Sequence, residues 1–302
     1  MNKFVILGCG YLGTNIANYI AINDSNSEVF VLGMENEYIN YLNENISFIS
    51  KMIEQISDDD LELFKDAIVI DAVGNINATN DSKNGSTVFL NNCASKVNLI
   101  QKLNGLDIRR YVFLSSGGTV YDDSDVPHKE DEKLNPKNIY ALEKVFIEDY
   151  LKIYGLENEK FSYIIIRLSN PYGGITSKNK KQGIIDVAIS KIKNDEILEF
   201  YGDMGNVRDY IYIDDVAFYI YNLSIMCEKN DIYNVASGKG TSIEELFDII
   251  EQVYNKKIQI INKHINTINI KTSILNIDKL KAIINSKDTI DIKEGIERYL
   301  KK

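Results

Sequence analysis

Tyr140 and Lys144 stand four residues apart in the run Tyr140-Ala141-Leu142-Glu143-Lys144, a spacing that places both side chains on one face of a helix, one turn apart. A phenol ionises at about pH 10, so it accepts a proton near neutrality only where a fixed cation stabilises the phenolate. A lysine one turn away supplies that cation, which makes the pair a candidate proton-transfer device. In a chain with 19 tyrosines the spacing alone is also that of an ordinary exposed helical pair, so position decides. Just upstream, YVFLSSGGTVY at Tyr111 to Tyr121 is an apolar strand-like run that opens into the hydroxyls of Ser115, Ser116 and Thr119, where a doubly wound sheet places its ligands.

The elements that must position this pair begin at the first residues. Phe4 to Leu7 is a buried-strand run that leads at once into Gly8, Cys9, Gly10, Tyr11, Leu12 and Gly13, followed by the helical periodicity of Ile16, Ala17 and Ile20. This is G-x-G-x-x-G in its proper context. The first glycine permits the tight turn, the second lets backbone approach a pyrophosphate, and the third lets helix pack on strand, with the helix N-terminus facing the anion. Gly8, Gly10, Tyr11, Leu12 and Gly13 are therefore the expected dinucleotide cradle. The second strand, Glu28 to Leu32, ends in Gly33 where an acid would hold the adenosine ribose; Glu35, two positions on, is the candidate, and no arginine or lysine stands there for a 2′-phosphate. NAD is expected over NADP.

Strand and helix patterns then alternate. Asp58 to Asp60 reads as a solvated helix start. Ala67 to Val73 is a buried strand closing in Gly74 and Asn75, where a cofactor could approach. Thr87 to Leu106 is helical, with Asn91, Asn92 and Asn98 as braces or ligand contacts, Asn92 being the candidate for the cofactor. Asp122 to Asn138, with Pro127 and Pro136, is a polar surface loop. The helix from Tyr140 to Tyr154 carries the pair and ends at Gly155, and Phe161 to Leu168 is the next buried strand. The alternation predicts an α/β fold, a doubly wound parallel sheet of Rossmann type, with a smaller C-terminal substrate-binding lobe.

Beyond residue 169 the pattern changes. Ser177 to Gln182 is a basic loop, Gly183 to Lys193 a helix, and Glu199 to Asn206 a short strand and turn. Val207 to Ile213 alternates as a strand, with Asp214 or Asp215 as N-cap of the helix after it. Asn234 to Gly238 is a turn, Ser242 opens a capping box for a helix to Tyr254, and the tail ends in an amphipathic helix. Residues 1–169 and 206–235 are assigned to the dinucleotide-binding domain, 170–205 and 236–302 to the substrate lobe.

Composition narrows the partners. Of 302 residues, 44% are hydrophobic, enough for a sizeable core, and the formal charge is −10. No basic patch is evident, which argues against nucleic acid or an anionic membrane. Cys9, Cys93 and Cys227 are odd in number and widely spaced, as expected of a reducing cytoplasm, with no disulfide framework and no metal site. No leader or spanning segment is apparent. His128 and His264 are the two histidines, both expected at the surface.

In order along the chain, GCGYLG, FLSSGGTVY, YALEK, RLSNPYGG, VRDYIYIDDV and YNVASG resemble the extended short-chain dehydrogenase/reductase family, in particular nucleotide-sugar epimerases of the UDP-glucose 4-epimerase type. The resemblance implies that Tyr140 is the catalytic acid/base and that Lys144 lowers its pKa and holds the nicotinamide ribose. It implies that Asn170 contacts substrate phosphate or neighbouring backbone, that Arg208 pairs with the substrate diphosphate as an arginine fork can, and that the protein is a homodimer through the helices of its first domain. A surface pair with Asp209 is the plain alternative for Arg208.

Three positions depart from the family pattern. Its catalytic serine or threonine falls on Gly117, leaving Thr119 or Ser116 for that role. The Asp-Glu pair of its 4,6-dehydratases is replaced by Gly118 and Thr119, which speaks against dehydration. Its C-terminal Arg-x-x-Asp appears as Asn266 to Asn269. The leading expectation is an NAD-dependent epimerase that inverts C4 of a nucleotide-linked hexose through a 4-keto intermediate. A 4-keto nucleotide-sugar reductase and a non-catalytic binding protein are the alternatives.

Overall fold

The structure, a computed structural model, describes every residue except 75–84, 178–182, 264–269, 285–287 and 302. Among the described residues the main sheet is built from β1 (Lys3–Leu7), β2 (Glu28–Gly33), β3 (Ile46–Ser50), β4 (Ala67–Asp71), β5 (Arg110–Ser116) and β6 (Tyr163–Leu168). Three short strands follow, β7 (Asn170–Tyr172), β8 (Leu198–Tyr201) and β9 (Val207–Tyr212), before β10 (Asp231–Val235) returns to the sheet. The seven strands are ordered β10-β6-β5-β4-β1-β2-β3 and all pair in parallel. Strand order reverses between β1 and β4, which opens a crevice at their carboxyl ends.

The inner strands are near-continuous β-branched runs because both faces are covered. Alternate residues of one strand enter opposite cores. Phe4 and Ile6 of β1 pack with Ile16 of α1 (Tyr11–Asn23). Val5 and Leu7 pack with Leu99 of α2 (Gly85–Asn104). After the single turn α3 (Gly117–Val120), helix α4 (Ile139–Glu157) lies beside α2 and sends Ile147 and Leu151 into that second core. The smaller helix α5 (Ile184–Lys193) precedes α6 (Ile213–Met226), which packs against α1 on the first face.

The C-terminal part gathers around β9, which pairs with β7, with β11 (Gly240–Ser242) and with the two-residue β13 (Thr272–Ser273), while β12 (Ile260–Lys263) pairs with β8. Helices α7 (Ile243–Tyr254), α8 (Asp278–Ile283) and α9 (Ile292–Leu300) complete it. The Ser242 hydroxyl caps α7 by accepting from Glu245 N at 3.1 Å.

Several expectations are corrected. Helix α4 ends not at Gly155 but two residues later, at Glu157: a Cβ on Gly155 would lie 2.5 Å from the Tyr163 ring, so this glycine lets the last turn pack on the strand. Asn234 is in β10 rather than a turn. Asp58 does start a helix, as expected, with Asp58 and Asp59 exposed, but it is a 3-10 helix over residues 58–64 whose Asp60 is ion-paired with Lys51. Tyr212, not an aspartate, is the N-cap of α6; Asp215 is buried and accepts from Ile290 N at 2.7 Å. Asn91 and Asn98 are exposed.

His128 is buried, not at the surface. Its ring stacks on Tyr121 with centroids 4.6 Å apart, and Nδ1 meets Glu132 at 2.7 Å. Its backbone donates to Ile274 O at 2.9 Å and accepts from Asn276 N at 2.8 Å, so the Asp122–Asn138 loop clasps the C-terminal lobe. His264, Asn75 and Asn266 to Asn269 lie outside the described residues, as do residues 178–182 of the expected basic loop.

Candidate active site

The glycine turn is built for a close approach. Gly8 has φ +100°, and a Cβ on Gly13 would lie 1.9 Å from Gly8 O, whereas one on Gly10 would meet nothing within 4 Å. Space is thus open where a pyrophosphate must come. Helix α1, which starts at Tyr11, Leu12 and Gly13, has no side-chain cap and no acid in its first turn, so nothing offsets its positive end. The Tyr11 hydroxyl reaches across to Gly173 O at 3.0 Å.

A cavity of about 210 Å³ adjoins this turn, walled by Leu7, Leu32, Met34, Met52 and Val73, with Lys51 at its side. Its apolar walls and size suit one flat base. Gly33 is not a gap in a ribose site. A Cβ there would lie 2.7 Å from Cys9 N, so the strand end and the glycine turn touch. Glu35, next to the lining residue Met34, is exposed. Its neighbour Asn36 donates to Cys9 O at 2.7 Å and folds this loop over the turn.

Tyr140 and Lys144 occupy the first turns of α4, which starts behind Asn138, whose side chain accepts from Ala141 N at 2.8 Å. Lys144 is buried, donates to Leu114 O at 2.9 Å, and holds Nζ 5.6 Å from the Tyr140 ring centroid and 5.0 Å from that of Phe113. Burial pushes the Tyr140 phenol up, and the charge of Glu143 adds to it, with the Ser116 hydroxyl and the charge of Lys96 acting the other way. Burial likewise pushes the Lys144 ammonium down, against Asp71, Glu143 and Glu148. The net shift of Tyr140 is therefore upward. The groups that favour the phenolate here are Ser116 and Lys96.

The missing hydroxyl at Gly117 has a structural reason. A Cβ on Gly117 would lie 2.4 Å from Leu275 Cδ1, so this position faces the C-terminal lobe. Ser116 meets Tyr140 instead, and Thr119 Oγ1 donates to Ser116 Oγ at 2.9 Å. Ser115 faces the other way and donates to Glu148 at 2.5 Å. Glu148 in turn holds Arg167 in a fork, with Arg167 Nη2 at 2.7 Å, and Arg167 Nη1 donates to Tyr121 OH at 2.8 Å. The end of β6 is thereby fixed to α4.

Sequence reasoning passed over Asp71 and Lys96. Both are buried, and Lys96 Nζ donates to the two Asp71 oxygens at 2.7 and 2.5 Å. An acid closing the apolar run Ala67-Ile68-Val69-Ile70 and a lysine on the apolar stripe of α2 were the available signals. Asn92 donates to Glu143 Oε2 at 2.9 Å, which ties α2 to α4.

Asn170 and Arg208 line one cavity of about 230 Å³ with Pro171, Tyr172 and Tyr210. Asn170 donates to Asp209 O at 2.9 Å and lies beside Gly118, whose Cβ would be 3.6 Å from Asn170 Oδ1. The cavity therefore adjoins the Ser116–Thr119 turn. Arg208 donates to Val207 O, Lys271 O and Ile270 O at 2.8, 3.1 and 2.7 Å. Asp209 is turned away toward Ser237 and Gly238. The buried Tyr210 hydroxyl has no partner among the described residues, a polar atom suited to a ligand that the sequence did not single out.

A switch-point crevice with a glycine cradle, a tyrosine and a lysine fits a dinucleotide-dependent enzyme, and the chain belongs to the NAD dependent epimerase/dehydratase family, whose profile matches residues 4–236. Over 300 residues it is 32% identical to a putative UDP-glucose 4-epimerase of Methanocaldococcus jannaschii, spanning 97% of this chain and 95% of that one. Over 219 residues it is 35% identical to a dTDP-4-dehydro-6-deoxyglucose reductase of Escherichia coli, spanning 71% of this chain and 66% of the relative. The UDP-glucose 4-epimerase of Thermotoga maritima, solved with UDP-glucose, superposes with TM-score 0.88 at 21% identity over 99% of this chain and 98% of that one. A UDP-N-acetylglucosamine 4-epimerase of Methanobrevibacter ruminantium, solved with UDP-N-acetylmuramic acid, gives TM-score 0.87 at 26% identity over 99% and 98%. The expected family, the Rossmann-type fold and NAD as cofactor all hold.

Proposed function

We propose that the protein is an epimerase that inverts C4 of a nucleotide-linked hexose through a 4-keto intermediate. The observation that carries this reading is the meeting of Tyr140 with Ser116 and Lys144 at the carboxyl end of β5, between the glycine cradle and the Asn170–Arg208 cavity. Identity to the putative 4-epimerase over nearly the whole chain supports it. NAD supplies a hydride acceptor that also returns the hydride.

The chain's own residues do the rest. Residues 1–169 and 206–235 hold the cofactor, with backbone at Gly8, Gly10, Tyr11, Leu12 and Gly13 facing its phosphates and Glu35 at the ribose. Lys144 holds the second ribose. Residues 170–205 and 236–302 hold the sugar nucleotide through Asn170, Arg208 and Tyr210. Tyr140 takes the proton of the 4-hydroxyl and gives it back, while Ser116, backed by Thr119, orients the sugar oxygen and steadies the phenolate. Because burial holds the phenol up, the active phenolate is reached through its cationic neighbours.

A reductase of a 4-keto nucleotide sugar is the second reading, favoured by the 35% identity to the Escherichia coli reductase. Retained NAD and interconversion of UDP-glucose with UDP-galactose, or of their N-acetyl forms, without added cofactor support the epimerase. Stoichiometric consumption of added NADH or NADPH by a keto sugar replaces it with the reductase.

We further place the protein in the cytoplasm as a homodimer. Among the described residues no helix is long and apolar enough to cross a membrane, and Cys9, Cys93 and Cys227 are unpaired. Leu142, Phe146 and Ile153 of α4 and Leu90 of α2 are exposed along one side of the helix pair, an apolar strip that a second copy covers. Sedimentation at the monomer mass sinks the dimer.

A further inference from the structure

The Asp71–Lys96 pair exchanges no proton in the acid–base scheme above, yet it lies in its foundation. Asp71 ends β4 and stands opposite Phe113 in the β4–β5 register. Both ammonium groups border that same Phe113 ring, Lys96 at 5.6 Å and Lys144 at 5.0 Å from its centroid. Asp71 thus has two lysines within its surroundings, one on α2 and one on α4. Lys96 is the one it holds, and the third donor of Lys96 goes to Val73 O at 3.2 Å. Tyr111 OH donates to Asp71 from β5 at 2.8 Å. The three ammonium donors of Lys96 are saturated by protein, whereas Lys144 spends one on Leu114 O and has two left for other acceptors.

We propose that the buried Asp71–Lys96 pair is a positioning device for Lys144: Lys96 occupies the Asp71 carboxylate and thereby leaves the Lys144 ammonium to Tyr140 and the cofactor. An unpaired buried carboxylate draws the nearest cation, and after Lys96 that cation is Lys144. Titratable groups facing the cluster come from every element around it: Asp71 from β4, Tyr111 from β5, Lys96 and Cys93 from α2, and Glu143, Lys144 and Glu148 from α4. Lys96 is also the cation that lowers the Tyr140 phenol. The inference rests on the acid–base role proposed for Tyr140.

The test titrates the tyrosinate absorbance of the full chain, with Tyr140→Phe subtracted to isolate one phenol, in Lys96→Gln, Asp71→Asn, the double variant and Lys96→Arg. Removing the cation raises the Tyr140 midpoint by about one pH unit, and removing the anion lowers it, through a single nearby charge in each case. The double variant and Lys96→Arg stay near wild type. Turnover follows the same order, with Lys96→Gln slowed and the double variant restored. Where Lys96→Gln fails to fold, Asp71→Asn gives the sign alone. Unchanged midpoints in the folded single variants overturn the proposal, as does folding only with both charges present or both absent; the pair is then purely structural. Failure of the wild type to turn over any nucleotide sugar refutes the epimerase instead and leaves the titration readable.

Discussion

Thr119 Oγ1 donates to Ser116 Oγ at 2.9 Å, and that serine is the hydroxyl that acts to lower the Tyr140 phenol. On the proposed mechanism the catalytic hydroxyl expected by pattern at Gly117 is supplied one residue earlier. Ser116→Ala should lower kcat by about 10²-fold, the usual scale of one acid–base or orienting partner, with little effect on KM. Thr119→Val, which only loosens the serine, should cost about tenfold, well short of the full loss. Gly117→Ser should not rescue Ser116→Ala, because its Cβ meets Leu275 at 2.4 Å. Steady-state kinetics on the three variants check the order, and a rescue by Gly117→Ser refutes it.

Gly33 invites a repair that should fail. An aspartate there restores the ribose-binding acid of the family pattern, but its Cβ would sit 2.7 Å from Cys9 N and 3.1 Å from Cys9 Cβ, and backbone on the glycine turn cannot yield as a side-chain tip can. Gly33→Asp is expected to release NAD during purification, whereas Glu35→Gln, at an exposed site, should weaken retention by less than about tenfold. Cofactor content by mass analysis decides. Tighter retention in Gly33→Asp means the turn has room that the structure denies.

What could be read from sequence was local. Phe4 to Gly13 carries its strand, turn and helix within ten positions, and the Tyr140–Lys144 pair lies within one helical turn. What could not be read depended on contacts between distant segments. His128 is buried because its backbone pairs with residues 274 and 276, and Lys96 is neutralised by a carboxylate 25 positions away. Strand β3, missed because its burial alternates only weakly at a sheet edge, shows the same limit: propensity does not mark a strand whose partner supplies half its reason.

Glu148 should be the costliest carboxylate to remove from the scaffold. It is fully buried and carries both the Arg167 fork and the Ser115 hydroxyl. Burial pushes the Arg167 guanidinium down, and Glu148 with Tyr121 more than offsets it. Glu148→Ala leaves that cation buried without its anion, a loss of about 3–5 kcal/mol. The double variant Glu148→Leu/Arg167→Met, which removes both charges, should lose less. Urea unfolding of the two variants gives the comparison, and a double variant less stable than the single one refutes it.

Asp209 gives a stability signature with a definite sign. Burial pushes its carboxyl up to about 6, although Ser237, Leu275 and Gly238 donate to it and act the other way. The unfolded chain releases this proton at about pH 4, so between about pH 4 and 6 the native state binds more protons than the unfolded state. Stability from this group is present below the unfolded pKa and is lost as pH rises through the folded one. The shift corresponds to about 3 kcal/mol across that window. Asp209→Asn removes the titration, so the stability of wild type relative to the variant should fall by roughly that amount between pH 4 and pH 6.5 in urea unfolding. A difference that grows with pH instead means the four donors around Asp209 outweigh its burial and hold it ionised.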